Sequence, residues 1–375
     1  MRLPFQRRRA STSAAERYAT ATQLQLTWWR FRRHRLAMAS LVVLIMAYGI
    51  AIMADFLTTM DPHDTNAATS YIAPQGIHWR DDDGAFRPYV YGLKGVRDLK
   101  TFKLIYTVDT SRKVYIEFLA HNYRWSLLGF ESDRHLFGLH NPRRGDGIYL
   151  LGTDQLGRDL WSRLMVATRV SLFIGLTGVS ISLFLGVLLG GISAIYGGWV
   201  DLIIQRLIEV VRSMPTIPLW LGLAAALPSN WSVTQIYFAI TIIISLLAWT
   251  DLARVVRGKF LSLREEDFVL AAELAGASQT RIIFRHMLPS FASHIIAAVS
   301  LALPAMIISE TSLSFLGLGL RPPAISWGVL LQDAQNVQTL VLAPWLLAAA
   351  VPVIFVILAF NFLGDGLRDA ADPYG

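Results

Sequence analysis

The chain carries repeated blocks of apolar, almost uncharged residues, each about 18 residues or longer, the length an α-helix needs to cross a hydrocarbon layer roughly 30 Å thick. Inside lipid no water is present to satisfy backbone N–H and C=O groups, so each block must form its hydrogen bonds within itself. The first block runs from Leu36 to about Phe56, and five more lie at about 168–195, 205–227, 233–255, 290–311 and 342–364. Composition agrees: of 375 residues, 54% are hydrophobic and only 16% charged, far from the balance of a soluble domain. The expected fold class is an all-α polytopic membrane protein with six transmembrane helices.

Charge placement sets the expected orientation. Residues 1–35 hold nine arginines, Arg2, Arg7, Arg8, Arg9, Arg17, Arg30, Arg32, Arg33 and Arg35, against the single acid Glu16. Positive flanks remain in the cytoplasm, so this segment is read as a cytoplasmic N-terminus. A secretory signal peptide is the rival reading. However, 36–56 is longer than a usual signal core and lacks a small-x-small exit before Asp55. Six crossings return the C-terminus, 365–375, to the same side. The net charge of +7 thus reads as a set of topology signals rather than a nucleic-acid surface. With no cysteine, the chain has no disulfide, thiolate metal site or cysteine nucleophile.

Between the first block and the rest, 57–163 changes character. It is aromatic, charged and Pro/Gly-punctuated, with 14 Lys/Arg against 13 Asp/Glu, and it contains no spanning run. Long loops translocate largely regardless of charge, so this segment is read as a periplasmic insertion. Lys103–Val108 and Lys113–Phe118 have strand composition, and a small, mostly β or irregular domain is expected. The five later helices form a core over 164–364. Glycines at 175, 178, 186, 190 and 191 point to close helix contacts in the second span.

Counting crossings from the N-terminus leaves 256–289 cytoplasmic, and Arg257, Lys259, Arg264, Arg281 and Arg285 support that count. Within it, Glu265-Glu266-Asp267 opens a short helix whose Ala/Leu/Glu composition favours helicity. Gly276 ends that helix, and a second from Ala277 to Met287 is expected to stop before Pro289. On sequence physics alone this is a pair of helices outside the membrane, or a solvated connecting loop.

Four motifs then carry a family resemblance. Ala271-Ala272-x-x-x-Gly276, with Leu288-Pro289 following, resembles the EAA loop of ABC importer permeases. Three more segments are similar to the dipeptide/oligopeptide/nickel branch of those permeases, oligopeptide permease C type. They are Leu151-Gly152-Thr153-Asp154-Gln155-Leu156-Gly157-Arg158-Asp159, Glu310-Thr311-Ser312-Leu313-Ser314-Phe315-Leu316-Gly317-Leu318-Gly319, and Gly364-Asp365-Gly366-Leu367-Arg368-Asp369. The resemblance covers about 25–60 and 148–373 and implies the type I ABC importer permease fold. It assigns Asp267, Ala271, Ala272, Gly276, His286, Leu288 and Pro289 to an ATPase-coupling element. Leu270 stands where the family motif opens with Glu, and Glu273 follows three residues later.

The resemblance also implies partners: a second homologous permease subunit, two ABC ATPase subunits that bind ATP and magnesium, and a periplasmic substrate-binding protein. No cofactor is expected in this chain, because Gly258-Lys259-Phe260 lacks the upstream glycine and hydroxyl residue of a phosphate-binding loop. Asp154, Arg158 and Asp159 are read either as a gate or binding-protein contact or as a helix start, with Asp154 as cap. Glu310 is read as a gating residue or an interfacial cap. Arg169, Glu209 and Asp251 fall at expected span ends. His34, His63, His78, His121, His135, His140 and His294 show no metal-ligand spacing. The function implied is a permease subunit importing oligopeptides. Oligosaccharides or nickel are alternative cargoes, and the aromatic insertion is read either as a sugar-stacking surface or as a small core. An ion-coupled secondary transporter is the reading from another class.

Overall fold

The computed structural model describes residues 23–97, 104–127, 129–140, 146–228 and 230–371. Arg2, Arg7, Arg8, Arg9, Glu16 and Arg17 lie outside the described residues, as do Lys103 and 372–375 at the C-terminus. Two helices open the chain, α1 (Gln23–Phe31) and α2 (Arg35–Ile52), followed by a short turn of helix, α3 (Ala54–Leu57). His34 starts α2, its Nδ1 accepting a hydrogen bond from the Ala37 amide.

After the insertion come α4 (Leu160–Tyr196), α5 (Gly198–Ser213), α6 (Thr216–Ala225) and α7 (Val233–Leu263). The short elements α8 (Asp267–Leu274), α9 (Gln279–Ile282), a π-helical turn (Ile283–Met287) and α10 (Leu288–Ser290) lead into α11 (Ala292–Phe315). Then α12 (Trp327–Gln332), α13 (Val337–Leu342) and a 3₁₀ segment (Pro344–Ala349) precede α14 (Ala350–Ala371).

Five helical segments among the described residues are long and apolar enough to cross a membrane: Arg35–Ile52, Leu160–Tyr196, Val233–Leu263, His294–Phe315 and Pro344–Ala370. The sixth, expected over 205–227, is a broken pair of helices. α5 and α6 meet at 88°, around Met214 and Pro215. Pro215 has no N–H to continue the α5 ladder and stands as the N-cap of α6. α5 also carries Asp201, Arg206, Glu209 and Arg212, which are expensive in hydrocarbon. Only Ile204 and Ile208 of α5 are fully buried, packing against Trp249 and Ala253 of α7.

Helix starts also move relative to the hydropathy blocks. α4 begins eight residues before 168 because the Asp159 carboxylate accepts the Ser162 amide at 2.8 Å, satisfying a first-turn donor. α7 starts with a reciprocal Ser232/Gln235 capping box and runs on past 255 to Leu263. The last span continues beyond 364 to Ala371.

Lipid tails are as apolar as Leu, so helix association in a bilayer depends on close packing. α4 packs along α7 and α11 through its glycines. A Cβ on Gly190 would lie 2.5 Å from the Ala253 carbonyl oxygen, and one on Gly175 would lie 2.8 Å from the Ile307 side chain. α14 approaches α2 and α11 in the same way, since Gly366 faces the Ala37 Cβ and Gly364 faces Leu301.

The insertion contains a four-stranded antiparallel sheet in sequence order, β1 (His78–Arg80), β2 (Phe86–Arg97), β3 (Leu104–Leu127) and β4 (Phe130–Leu139). The two strand-like segments read separately from sequence are parts of the single strand β3. One stretch pairs with β2 (Tyr89↔Tyr115) and the rest with β4 (Ile116↔Leu139). A register shift at Tyr91/Gly92 lets residues 110–112 bulge without ending the strand. Val90, Val114 and Ile116 pack on Ile148, while His78 stacks on Tyr89, with Tyr91 and Tyr115 meeting them edge-on.

The glycine contacts predict a contrast. Gly190→Val forces a side chain against backbone and should cost about 1–3 kcal/mol, lowering the thermal unfolding midpoint of the detergent-purified chain. Gly258→Ala, in α7 with nothing within 4 Å, should leave the midpoint unchanged or raise it.

Candidate functional site

The helix pair expected at 265–289 is built from α8 to α10. α8 ends in a paired αL cap: Gly276 has φ +77°, its amide donates to the Glu273 carbonyl, and the Ala277 amide donates to the Ala272 carbonyl. This arrangement satisfies the last carbonyls of the helix and turns the chain sharply. Nothing lies within 4 Å of where a Gly276 side chain would begin, so the glycine is there for its backbone conformation and not for space. The second limb differs from the expectation. Pro289 does not stop it; the helix passes through a π-helical turn, takes Pro289 into the first turn of α10, where its missing N–H is harmless, and breaks at Phe291 with φ −118°.

This pair is anchored on one side and bare on the other. Val269, Ile282, Met287 and Phe291 are buried with Ala194 at the end of α4 and Val256 and Phe260 of α7. Asp267, Ala271, Gly276 and Pro289 are exposed, and Ala272, His286 and Leu288 are half-buried. The bare side also carries Phe268, Leu270, Leu274 and Phe284, of which Leu274 is 91% and Phe284 63% exposed. Of these four, sequence reasoning noted only Leu270, and that as a departure from the family motif; the signal for all four is apolar residues on a helix outside any spanning block.

At the opposite end of α4, the motif residues separate into two roles. Asp154 is not the helix cap. Its Oδ1 accepts the amides of Leu156 (2.8 Å) and Arg158 (3.0 Å), and its Oδ2 accepts Arg158 Nε at 2.7 Å and also Arg163 Nη1. Arg163 reaches on to Asp333 Oδ2 at 3.2 Å, just after α12. Two acids and two arginines thus tie the start of α4 to the connection between α11 and α14. Arg163 and Asp333 were not singled out from sequence, because 170 positions separate them.

Asp159 is the cap. Its Oδ2 accepts the Ser162 amide, the Ser162 hydroxyl (2.6 Å) and the Thr59 hydroxyl (3.0 Å). Burial pushes this carboxyl up from 3.8 to about 6 against those three donors. Gly157, with φ +74°, lies so close to the Asn66 carbonyl that a Cβ would sit 2.0 Å from its oxygen.

Glu310 is fully buried, five residues before the end of α11. Ser314 Oγ donates to Oε1 at 2.8 Å and Ser171 Oγ to Oε2 at 3.2 Å. Those hydroxyls in turn accept the amides of Leu320 (3.0 Å) and Trp327 (3.1 Å). The carboxylate therefore joins α4, α11 and α12.

Arg169 lies inside α4, donating to the Ala51 carbonyl and the Asp55 carboxylate at 2.8 and 2.7 Å. Glu209 pairs with Arg206 at 2.8 Å, and Asp251, in the interior of α7, pairs with Arg212 of α5. A cavity of about 450 Å³ opens between α4, α6, α7 and α11, lined by residues including Ser182, Trp220, Ala248, Asp251 and Ser309. Among the described residues no three His, Asp or Glu side chains converge as a metal site.

Residues 183–374 match the family model described as binding-protein-dependent transport system inner membrane component. Residues 22–74 match the N-terminal transmembrane domain of oligopeptide transport permease C. The chain is 39% identical over 231 residues to an oligopeptide transport system permease protein OppC of Haemophilus influenzae, covering 61% of this chain and 71% of that one. It is 36% identical over 223 residues to the OppC of Bacillus subtilis (59% and 70%). It is 37% identical over 224 residues to a glutathione transport system permease protein GsiD of Pectobacterium atrosepticum (60% and 72%).

Asp159 gives a signed pH prediction. Its folded carboxyl holds a proton more tightly than the unfolded one, so its contribution is favourable at low pH and is lost as pH rises through about 6. As pH falls from about 6 towards about 4, the unfolding midpoint of the wild type should gain on that of Asp159→Asn, by the equivalent of roughly 2 kcal/mol. Parallel midpoint–pH curves for the two proteins would refute this.

Proposed function

The chain belongs to the family of binding-protein-dependent transport inner membrane components, and from that premise we propose that it is one of two permease subunits of an ATP-driven peptide importer. The peptide cargo is supported by the names of its relatives, oligopeptide and glutathione permeases among them. Both termini and the α8–α10 pair lie in the cytoplasm, and the sheet lies in the periplasm, in a bacterial inner membrane. The orientation is supported by Arg30, Arg32, Arg33 and Arg35, which run from the end of α1 to the start of α2. A second, related permease completes the pathway, two cytoplasmic ATPases bind ATP and magnesium, and a periplasmic binding protein delivers the cargo.

The observation that carries the mechanism is the two-sided character of the α8–α10 pair. Its inner side is packed into α4 and α7 through Val269, Ile282 and Met287, while its outer side presents Phe268, Leu270, Leu274 and Phe284 to water. A partner gripping the outer side moves both spans as a unit, because a packed core transmits displacement instead of absorbing it. The cavity among α4, α6, α7 and α11 borders those moving helices and supplies this chain's share of the route. Asp267, Ala271, Ala272, Gly276, His286, Leu288 and Pro289 shape the docking element. The docking anchors are these exposed apolar side chains, and one of them, Leu270, stands at the position of the family's Glu.

Leu274→Glu and Phe284→Glu should each reduce co-purification of the ATPases about tenfold, the loss typical of removing one interface anchor, and leave the unfolding midpoint of the permease unchanged. Gly276→Val, at φ +77°, strains the backbone by about 1–2 kcal/mol and should lower substrate-stimulated ATP hydrolysis in the reconstituted complex. Full ATPase retention by both Glu variants would sink the docking assignment.

A further inference from the structure

The β3–β4 hairpin ends in an apolar tip for which the sheet has no use. Leu127 and Phe130 are its last pair, and Gly129, with φ +90°, makes the turn; Leu128 between them lies outside the described residues. Phe130 is 80% exposed, the most exposed aromatic in the sheet. Behind the tip, the Trp125 indole N–H is already spent on the Arg134 carbonyl at 3.0 Å, so its ring is held across the hairpin. A solvent-facing turn is normally polar, and an exposed apolar group of this kind marks a contact.

Its position points to what the contact is. Tyr123 and His135 both hydrogen-bond the Thr58 hydroxyl, at 2.7 and 3.1 Å, directly after α3. β4 packs against α3 itself. In α3, Asp55 is held by Arg169 from within α4, in a grip that includes the carbonyl of Ala51. The centre of the sheet packs on Ile148, whose carbonyl accepts from Thr59, one residue further from α3 than Thr58. From that centre the hairpin passes the end of α3 at Thr58, and the four residues from Tyr123 to Leu127 carry it roughly 13 Å further. Where α2 ends, Ile52 and, just beyond it, Met53 are 47% and 51% exposed.

We infer that the hairpin tip, Phe130 and Leu127 with Trp125 behind them, inserts into the leaflet of the bilayer on the sheet side. The flanking charges fit a headgroup layer. Arg124 and Arg134 are exposed and suited to lipid phosphate. Asp133 is engaged by His121 at 2.9 Å, and Glu131 is the one acid at the tip without an ion pair among the described residues. A tryptophan at the polar boundary with aliphatic and phenyl groups beyond it follows the depth order of interfacial anchors. The insertion pins the sheet at a second place, away from its attachment to Thr58 and Thr59, and fixes its tilt over the membrane. The inference rests on the spans crossing a bilayer and is independent of the cargo.

The absence of cysteine makes the test direct. Phe130→Cys creates a unique labelling site for an environment-sensitive fluorophore in the full chain, reconstituted in nanodiscs containing phosphatidylcholine spin-labelled near the top of its acyl chain. Phe86→Cys, at a position 66% exposed on β2, is the reference, and Ser126→Cys replaces Phe130→Cys if that variant does not assemble. Expected are blue-shifted emission and several-fold stronger quenching by the lipid spin label at 130 than at 86, with iodide quenching reversed. Equal iodide access at both sites without lipid quenching overturns the proposal. A blue shift that requires an added partner subunit, still without lipid quenching, also overturns it and assigns the tip to a protein interface.

Discussion

The fold depends on how closely α4 can approach its neighbours. Within a bilayer there is no water to expel between helices, so the spans associate through contact, and α4 obtains that contact by omitting side chains where α7 and α11 press against it. Gly190 against the Ala253 carbonyl and Gly175 against Ile307 allow the backbones to meet. Because α4 also packs against α2 and α5, it acts as the axis around which the other spans are placed.

Polar groups buried at the sheet-side end of α4 then fix what the packing leaves free. Asp154 and Arg163 hold the connection between α11 and α14 through Asp333, and Glu310 joins α4, α11 and α12 through two serines. Each such group is costly to bury and retains its place only while its donors are in register. They therefore specify one arrangement of helices whose apolar surfaces alone would tolerate several. At the other end of α4 the packing against α8–α10 is apolar and one-sided, which suits a contact that has to move as a body.

Much of this was legible in the sequence because it is local. Spanning blocks, the Gly276 turn and the small residues of α4 and of the Gly364–Asp369 segment are all signalled by nearby residues. What was not legible depends on distance or on competition between signals. The size of the bend between α5 and α6 was not legible, because hydropathy averages across Pro215 and ignores that Arg206, Glu209 and Arg212 share a helix with the apolar residues. Asp154 was read as a cap because Asp154 and Asp159 are chemically identical; only Ser162, three residues beyond Asp159, selects the cap. Glu310 read equally well as interfacial, since nothing local reveals that Ser171, 139 positions away, reaches it. The two halves of β3 looked like separate strands because a bulge interrupts alternation in the same way as a turn.

The insertion leaves and re-enters the membrane part where its two ends are stitched together. The Thr59 amide binds the Ser162 hydroxyl at 3.0 Å, and the Thr59 hydroxyl binds the carboxylate of Asp159, 100 positions further on. The two family matches, 22–74 and 183–374, stop on either side of the sheet. A chain whose exit and return already touch can lengthen, shorten or exchange what lies between them without displacing a span. The sheet is thus the part of this molecule most open to evolutionary replacement, a socketed module on a scaffold that does not register its size.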